Sequence, residues 1–476
     1  MILKRENGFY MGIKKLSLII LSLTTLMISG CSNTKTTKIN VLATTDLHGL
    51  VPYNMTEYIN KEREKDSNIT LVDAGDFFDN DMYGQMNKYI EQRSKYAENG
   101  EEKYIEFPLA NDMKEVGYDA VVLGNHEFVS NNRFYLDNII SDFDKNNISV
   151  LSANTYKEND ENYTKPYIIK EIETDNGKVN LGILGLTIKE VGEGKTRDEN
   201  GNIVKVENRE LKNQYGYDGK LYMNDMVQEA NKWVKIMKEK EKADLIVAVA
   251  HSGEKPKKPK NPGNRIQEIA QEVDGIDAIV AGHTHKVFEQ HDYKNKSNKN
   301  VIVTQPGHHG EYISKITFEL TKEKDKWKIE DKYVKLTEFE KDKSFDYASE
   351  LIYKIAKIKD ETKEVNLTDI TPFEWDKAYV FDINTPIEKI YKKVGYKWTS
   401  ISEKEKESEF QIVFLNNEKV VCYLFGSSDM MGISMNFNKS SYKDGIIEIA
   451  PNKNSKFSVK KGKEVFETHL THMDNL

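Results

Sequence analysis

Cysteine is nearly absent from this 476-residue chain, which contains only Cys31 and Cys422. Two cysteines exclude a disulfide-rich scaffold, and no disulfide can be inferred from them. Apolar residues make up 38% of the chain and charged residues 31%, a balance that excludes a multi-span membrane protein. An excess of positive charge is also lacking, because the net charge is −8. Binding to nucleic acid requires a basic footprint, so no nucleic-acid polymer is expected as a partner.

An uncharged run lies near the beginning of the chain, where residues 16–28 follow Lys14-Lys15. A basic region followed by an apolar region too short for a comfortable transmembrane helix is typical of a signal peptide. The run ends in Ile28-Ser29-Gly30-Cys31, which resembles the bacterial lipobox, where the cysteine becomes the lipidated first residue. An uncleaved signal anchor, or a buried apolar helix with a chance cysteine, are the alternatives.

We therefore predict a signal peptide over residues 1–30, a tether over residues 31–37 and a lipid anchor on Cys31. The mature protein would lie outside the cytoplasm, attached to the bacterial cell membrane. Cys422 stands among valine, tyrosine and leucine, so we expect it to be a buried strand residue rather than a reactive thiol.

The remaining length is too great for one core and predicts two folded units. Residues 38–340 alternate short apolar runs with longer helix-compatible stretches such as 226–241 and 265–273, which indicates an α/β fold with a parallel or mixed sheet. The apolar runs are residues 39–43, 69–72, 120–123, 150–153, 179–186, 245–250, 278–281 and 301–304.

A hairpin over residues 316–320 and 327–336 would close the first domain. Residues 341–369 form a predicted connecting segment, with a helix over 347–363. Residues 370–476 have a different sequence pattern. It predicts a small α+β domain with a helix over 386–394 and a hairpin over 410–424. The role of this domain is not evident, and its Trp375 and Trp398 favour plain core over binding of a base.

Polar residues follow the apolar runs directly, at the strand ends where α/β sheets place their active sites. Histidines, carboxylates and one amide recur at five such strand ends. This repeated placement is hard to obtain by chance. The five motifs are Asp46-Leu47-His48, Gly75-Asp76, Gly124-Asn125-His126-Glu127, Ala250-His251 and Gly282-His283-Thr284-His285.

Imidazoles and carboxylates together suit Zn²⁺, Mn²⁺ or Fe²⁺, and the hard oxygens also admit Mg²⁺ or Ca²⁺. In the Asp46-x-His48 and His283-x-His285 pairs, an extended backbone would place both side chains on one face. A carboxylate can bridge two cations, and Asp76 has the best position for that role. Two cations about 3.5–4 Å apart can clamp a phosphate and activate a water.

The order of these motifs closely resembles the calcineurin-like metallophosphoesterases, in the branch of 5′-nucleotidases and 2′,3′-cyclic-nucleotide phosphodiesterases. The resemblance covers about residues 38–335 and implies a four-layer αββα sandwich of two β-sheets flanked by helices. It also implies a first metal on Asp46, His48 and His285. A second metal would be held by Asn125, His251 and His283, with Asp76 as the bridge. His126 would contact the phosphate and assist the leaving oxygen.

Two departures from the family stand out. Members usually continue as Gly-Asn-His-Glu-Phe-Asp, with the last aspartate orienting the histidine, whereas this chain has Val129 at that position. Valine cannot accept a hydrogen bond from imidazole, so another acceptor would have to replace it. The long C-terminal domain that stacks the base in secreted 5′-nucleotidases is replaced by about a hundred residues of different character.

The sequence therefore predicts a metal-dependent phosphoesterase of the 5′-nucleotidase or 2′,3′-cyclic-nucleotide phosphodiesterase type, with a small phosphoester as substrate. Two alternatives stay open. One is the same chemistry on a non-nucleotide substrate such as a sugar phosphate. The other is a weakly catalytic, metal-containing binding lipoprotein, which the valine at position 129 favours.

Overall fold

In a computed structural model of the chain, the described residues are 36–79, 84–199, 201, 203–217, 219–255, 263–462 and 467–473. The predicted signal peptide, Cys31 and most of the predicted tether lie outside these residues. The described part belongs to one unit, Thr36–Leu476. Within it, no helix combines the length and the apolar character that crossing a bilayer requires.

Sixteen strands and seven α-helices are described between residues 37 and 338. The strands are β1 (Thr37–Thr44), β2 (Thr70–Asp73), β3 (Ala120–Val122), β4 (Ser149–Leu151), β5 (Thr155–Lys157), β6 (Tyr167–Ile172), β7 (Val179–Thr187), β8 (Glu190–Arg197), β9 (Ile203–Glu210), β10 (Leu221–Met223), β11 (Leu245–His251), β12 (Ala278–Ala281), β13 (Val287–Lys294), β14 (Asn300–Pro306), β15 (Tyr312–Glu323) and β16 (Lys326–Glu338). The helices are α1 (Tyr53–Lys65), α2 (Gly84–Glu98), α3 (Pro108–Val116), α4 (Asn125–Val129), α5 (Arg133–Lys145), α6 (Met226–Glu239) and α7 (Ile266–Glu272).

Two six-stranded mixed sheets carry this part of the chain. The first has the order β16-β15-β1-β2-β3-β4, and β1 through β4 run parallel, with Ala43 beside Val72. The second has the order β13-β14-β12-β11-β7-β6, with parallel pairing from β7 to β14 and antiparallel edge strands. Parallel neighbours place their carboxyl ends at one edge of each sheet, which is where the polar motifs follow.

Both faces of the central strands are buried, which explains their unbroken apolar sequences. In β1, Val41 faces the core between the two sheets, whereas Leu42 faces the core beneath helices α1, α3 and α5. In β11, Val247 faces the first of these cores and Ile246 faces a third, beneath α6 and α7. Three cores separate four layers, so the predicted αββα sandwich is confirmed.

Helix α6 shows how the local sequence sets an element. Asp225 precedes it and accepts hydrogen bonds from the backbone N–H groups of Val227 and Gln228, which caps the free donors of the first turn. Its buried side chains recur at helical spacing, at Met226, Ala230, Val234 and Met237. The prediction over residues 226–241 is confirmed to within two residues at its end.

The C-terminal part forms two four-stranded sheets, ordered β17-β23-β24-β21 and β20-β19-β18-β22, and the predicted α+β character is confirmed. Its strands are β17 (Glu364–Asn366), β18 (Lys377–Phe381), β19 (Glu409–Asn416), β20 (Lys419–Ser427), β21 (Ile433–Asn436), β22 (Ile446–Ile449), β23 (Lys456–Lys461) and β24 (Thr468–His472). Its helices are α8 (Ser344–Ala356), α9 (Leu367–Ile370), α10 (Ile387–Val394) and α11 (Ser428–Met431).

The helix predicted over residues 347–363 differs from the structure. Helix α8 begins at Ser344 and ends at Ala356, and Ala348, Leu351 and Ile355 pack in the core of the C-terminal sheets. The helix is thus built into the C-terminal core. The predicted hairpin forms as β19 and β20, and its turn residues Asn417 and Glu418 both have positive φ.

Burial of three C-terminal side chains agrees with the sequence. Cys422 is buried in β20, and burial raises the pKa of its thiol well above the ordinary value, as expected for an unreactive cysteine. Trp375 and Trp398 are also buried, in two separate hydrophobic clusters.

Candidate metal centre

The ends of β1, β2 and β3 from the first sheet meet the ends of β11 and β12 from the second. All seven side chains predicted as metal ligands lie at this junction. Six of them form two groups whose ligand atoms lie within 4.8 Å of one another: Asp46 with His48 and His285, and Asp76 with His251 and His283.

The backbone at these strand ends is left-handed rather than extended. Five of the seven residues have positive φ: Asp46 (51°), His48 (48°), Asp76 (54°), His283 (68°) and His285 (53°). The extended backbone considered for the Asp46/His48 and His283/His285 pairs is therefore wrong. Both side chains of each pair still reach the junction. Non-glycine residues rarely adopt this conformation, and its concentration at one place is typical of a functional site.

In the first group, three acceptors surround one space. Nε2 of His285 lies 3.3 Å from Oδ1 of Asp46 and 3.2 Å from Nε2 of His48. The other carboxylate oxygen of Asp46 accepts hydrogen bonds from the Thr45 hydroxyl (2.6 Å) and the His283 backbone N–H (3.0 Å). Its Oδ1 is buried and has no hydrogen-bond partner. A buried carboxylate oxygen left in this state calls for a cation.

The second group is centred on the amide oxygen of Asn125, which lies 3.0 Å from Nε2 of His251 and 2.8 Å from Nδ1 of His283. Nδ1 of His251 faces the carbonyl oxygen of Ala74 at 2.9 Å. When the ring is neutral, donation to that carbonyl leaves an unshared electron pair on Nε2. This nitrogen lies only 3.0 Å from Oδ2 of Asp76. In that neutral form, carboxylate, amide and imidazole ligand atoms converge on one space.

The pKa values of His251, Asp76 and His283 reflect how close these buried groups lie to one another. Burial lowers the pKa of His251, but the Asp76 carboxylate raises it to about 10. Burial alone would raise the pKa of Asp76, yet His251 holds it below its ordinary value. Burial and the neighbouring His251 lower the pKa of His283 to about 4. The charged forms of His251 and Asp76 stabilise each other, and a divalent cation held by imidazole, carboxylate and amide would displace the proton from His251.

Glu127 is a residue that the sequence motif contained but to which no role was given. Its buried carboxylate accepts backbone hydrogen bonds from Asp76 (3.1 Å), Phe78 (2.8 Å) and Gly124 (2.5 Å). These bonds tie the loop after β2 to the loop after β3. Glu127 thereby sets the distance between Asp76 and Asn125.

His126 stands beside the second group without joining it. Its side chain is 32% exposed, and its Nε2 lies 3.9 Å from Oδ2 of Asp76. Burial lowers the pKa of His126, but the carboxylates of Asp79 and Asp76 raise it to about 9. An accessible, proton-carrying imidazole at this position can donate to an oxygen of a bound phosphate.

The sequence reasoning also missed two histidines that follow β14. The rings of His308 and His309 are stacked at 4.5 Å, and His308 stacks on His285 at 4.8 Å. The backbone N–H of His309 donates to the Asp46 carbonyl at 2.8 Å. Both histidines follow the apolar run 301–304 after Gln305-Pro306-Gly307, which is a weaker form of the signal that identified the other histidines.

A cavity of about 480 Å³ lies next to His309. Tyr53 of α1 lines it together with Tyr396 and Trp398 of the C-terminal part. The rings of Tyr53 and Tyr396 are 4.1 Å apart. The cavity is large enough for a small organic ligand.

Known proteins resemble part of the chain. The trifunctional nucleotide phosphoesterase protein YfkN of Bacillus subtilis is 29% identical over 326 residues, which cover 62% of this chain and 20% of the relative. The 2′,3′-cyclic-nucleotide 2′-phosphodiesterase/3′-nucleotidase of Salmonella typhimurium is 25% identical over 335 residues, which cover 64% and 46% respectively. The chain thus spans less than half the length of both relatives.

Among solved structures, the calcineurin-like phosphoesterase YfkN from Bacillus subtilis covers 64% of this chain and 91% of its own, with 27% identity and a TM-score of 0.49. The family model described as calcineurin-like phosphoesterase matches residues 39–287, which is more than half of the chain and includes all seven residues of the junction. The protein therefore belongs to the calcineurin-like phosphoesterase family.

Proposed function

We propose that this chain hydrolyses phosphoesters with two divalent cations. Asp46, His48 and His285 would hold one cation, and Asn125, His251 and His283 would hold the other, with Asp76 shared between them. The observation that carries the proposal is the convergence of seven potential ligand side chains at one junction, above all the buried Oδ1 of Asp46, which has no hydrogen-bond partner. When bound, the cations would polarise the phosphate and lower the pKa of an attacking water.

The residues of the chain contribute binding and proton transfer. His126 borders the junction, and its half-buried imidazole would donate a hydrogen bond to a phosphate oxygen and then a proton toward the leaving oxygen. The left-handed backbone at the strand ends and the hydrogen bonds that Glu127 accepts from both loops hold the ligand side chains in place before substrate binds. Little reorganisation is then needed.

Metal analysis followed by a phosphoester panel tests this function. The purified protein is loaded with Mn²⁺, Zn²⁺ or Mg²⁺, its metal content is measured, and monoesters and diesters are assayed. Two equivalents of metal and hydrolysis of at least one ester are expected. Failure to hydrolyse any ester with any of the three metals would contradict the proposal. Asp46→Asn should lose metal and activity together, whereas the exposed Asp160→Asn should change neither.

Nucleotides are the substrates we propose, of either the 5′-monophosphate or the 2′,3′-cyclic type. The names of the two curated relatives support this class, and the cavity beside His309, lined by Tyr53, Tyr396 and Trp398, would hold the nucleoside against these rings. Tyr396→Ala should raise KM for nucleotides several-fold and leave KM for p-nitrophenyl phosphate unchanged. An equal change for both substrates would argue for a non-nucleotide phosphoester instead.

The alternative of a weakly catalytic binding lipoprotein is favoured by one observation, the absence of an acceptor at Val129. Asp76→Asn separates the two functions, because it should abolish hydrolysis but leave the binding of a partner largely intact.

We also propose that Cys31 carries lipid and that the protein acts at the outer face of the cell membrane. The apolar run before Cys31 supports this location. Labelling with a fatty acid should be lost in Cys31→Ser and retained in Cys422→Ser.

A further inference from the structure

Val129 cannot orient His126, and its surroundings show what it does instead. Its side chain is 38% exposed and lines a cavity together with Arg209 and Gln214. Any residue that orients the imidazole must therefore come from another part of the chain.

Asp79 presents a carboxylate at the required place. Its Oδ1 lies 3.4 Å from Nδ1 of His126, and its Oδ2 lies 3.2 Å from Nδ1 of His48. Both imidazole nitrogens are otherwise without a hydrogen-bond partner. One carboxylate thus faces the outer nitrogens of two rings, and the other nitrogen of each ring remains directed at the junction, with Nε2 of His48 near His285 and Nε2 of His126 near Asp76.

The backbone before Asp79 is anchored on both sides. Phe77 and Phe78 are fully buried, the Phe77 carbonyl accepts from the Gly49 N–H at 2.7 Å, and the Phe78 N–H donates to Glu127 at 2.8 Å. Asp79 follows directly and is 28% exposed. Its carboxylate therefore directly follows a segment that packing and hydrogen bonds fix next to His126.

We propose that Asp79 is the positioning residue of His126 and replaces the carboxylate that Val129 lacks. This inference rests on the proposed function. A carboxylate at Nδ1 fixes the ring so that Nε2 faces the junction, and it stabilises the charged ring that donates from Nε2. In the neutral ring it selects the tautomer with hydrogen on Nδ1. The contact with His48 is compatible with this role, because a metal-binding imidazole also needs an acceptor on its outer nitrogen.

A double-mutant cycle tests whether Asp79 acts through His126. Asp79→Asn is assayed at saturating metal because Asp79 also faces His48. It should then lower kcat about 10- to 100-fold, as is usual for partners that orient active-site histidines, with little change in KM. In a His126→Ala background the same substitution should cost less than about 3-fold, because the ring that it positions is gone. An undiminished loss in that background would overturn the proposal, since Asp79 would then act through His48.

A matched control exists in the C-terminal part, where His469 and Glu467 form another histidine–carboxylate pair at 3.1 Å. Glu467→Gln should leave kcat unchanged. Val129→Asp provides the complementary variant, because position 129 follows His126 by one helical turn in α4. It should raise the kcat of Asp79→Asn but not that of the unaltered chain. Equal effects of Val129→Asp in both would contradict the assignment.

A spectroscopic readout does not depend on activity. In the full chain labelled with ¹⁵N-histidine, the signal that disappears in His126→Ala reports the tautomer of His126. At a pH above the pKa of His126, where the ring is neutral, we expect hydrogen on Nδ1 in the unaltered chain and a shift toward Nε2 in Asp79→Asn. An unchanged tautomer would overturn the inference, whereas an inactive protein with the expected tautomer would count only against the proposed hydrolysis.

Discussion

Gly124 occupies a position at which no side chain fits. A Cβ there would lie 2.2 Å from Oδ1 and 2.4 Å from the backbone nitrogen of Asp76. The same Oδ1 accepts the His126 backbone N–H at 2.8 Å. The close approach of the two loops is therefore required for Asp76 to reach both His251 and His126.

Gly124→Ala should push these loops apart. We expect a loss of about 1–3 kcal/mol in the free energy of unfolding, because the neighbour is backbone and cannot yield, together with a fall in activity and metal affinity. Urea unfolding and metal titration measure the effects. Gly194→Ala is the control, since its Cβ would meet nothing closer than 3.5 Å. Similar stability in both variants would contradict the proposed contact.

Some site residues could be predicted from sequence and others could not, for a physical reason. Asp46 and Asp76 lie just beyond buried strands and His251 ends one, and parallel strands bring their ends together whatever the loops do. Asp79 lies on irregular backbone, and its proximity to His126 depends on tertiary contacts of the preceding phenylalanines. The left-handed φ of Asp46 likewise comes from the packed loops, not from a local preference.

At the scale of elements, helix α8 also has features that the sequence predicts and features that only tertiary contacts decide. Its helical character was readable from the sequence, but its bounds and its partner depend on the C-terminal sheets against which it packs. Leu351 is fully buried in that core, whereas Tyr353 is 63% exposed. Leu351→Ala should lower the free energy of unfolding by about 2–5 kcal/mol, and Tyr353→Ala should have little effect. Equal effects in thermal unfolding would mean that α8 only connects the two parts.

Helix α1 is joined to the first sheet by a buried carboxylate. Glu62 accepts from Lys315 of β15 at 2.5 Å and from Lys65 at 2.7 Å. Burial alone would raise the pKa of Glu62, but the two lysines bring it below the ordinary value of 4.5. Because the pKa is lower in the folded state, the stabilisation is complete above pH 4.5 and is lost as the pH falls through the folded pKa.

Glu62→Gln should remove this contribution. We expect a loss of about 1–2 kcal/mol at neutral pH and a smaller difference from the unaltered chain as the pH falls below 4.5. Unfolding by urea at a series of pH values measures both. The partly exposed pair of Lys170 and Asp119 offers a comparison, since Lys170→Met should cost less. A difference that grows toward acid pH would contradict the sign of the effect.

For the whole molecule, folding and metal binding should be coupled, because the ligands come from both sheets. A cation present at about 100 times its Kd should raise the free energy of unfolding by about 2.7 kcal/mol per site. Calorimetry with and without a chelator measures the change, and KCl at equal ionic strength is the control. An unfolding temperature indifferent to divalent cations would show that the junction binds none of them.

The two halves of the described chain are held together by charged contacts as well as by Tyr53 and Tyr396. Lys397, directly after Tyr396, lies 2.7 Å from Asp112 and 2.8 Å from Glu115 of α3. Burial would lower the pKa of Lys397, but Asp112 raises it well above the ordinary value. Asp112 is largely enclosed, so loss of Lys397 would leave its carboxylate without a counter-charge.

Lys397→Met should therefore loosen the C-terminal part and, because that part lines the cavity beside His309, also weaken substrate binding. We expect a higher KM for nucleotides and earlier urea unfolding, with hydrogen exchange increasing on both sides of the contact. Asp112→Asn in the same chain should recover part of the stability, since the unpaired charge is removed. Lys439→Met, which breaks the exposed pair with Glu407, should change none of these quantities. If Lys397→Met altered stability but not KM, the C-terminal part would serve the fold alone, and the substrate would have to be bound by the first domain.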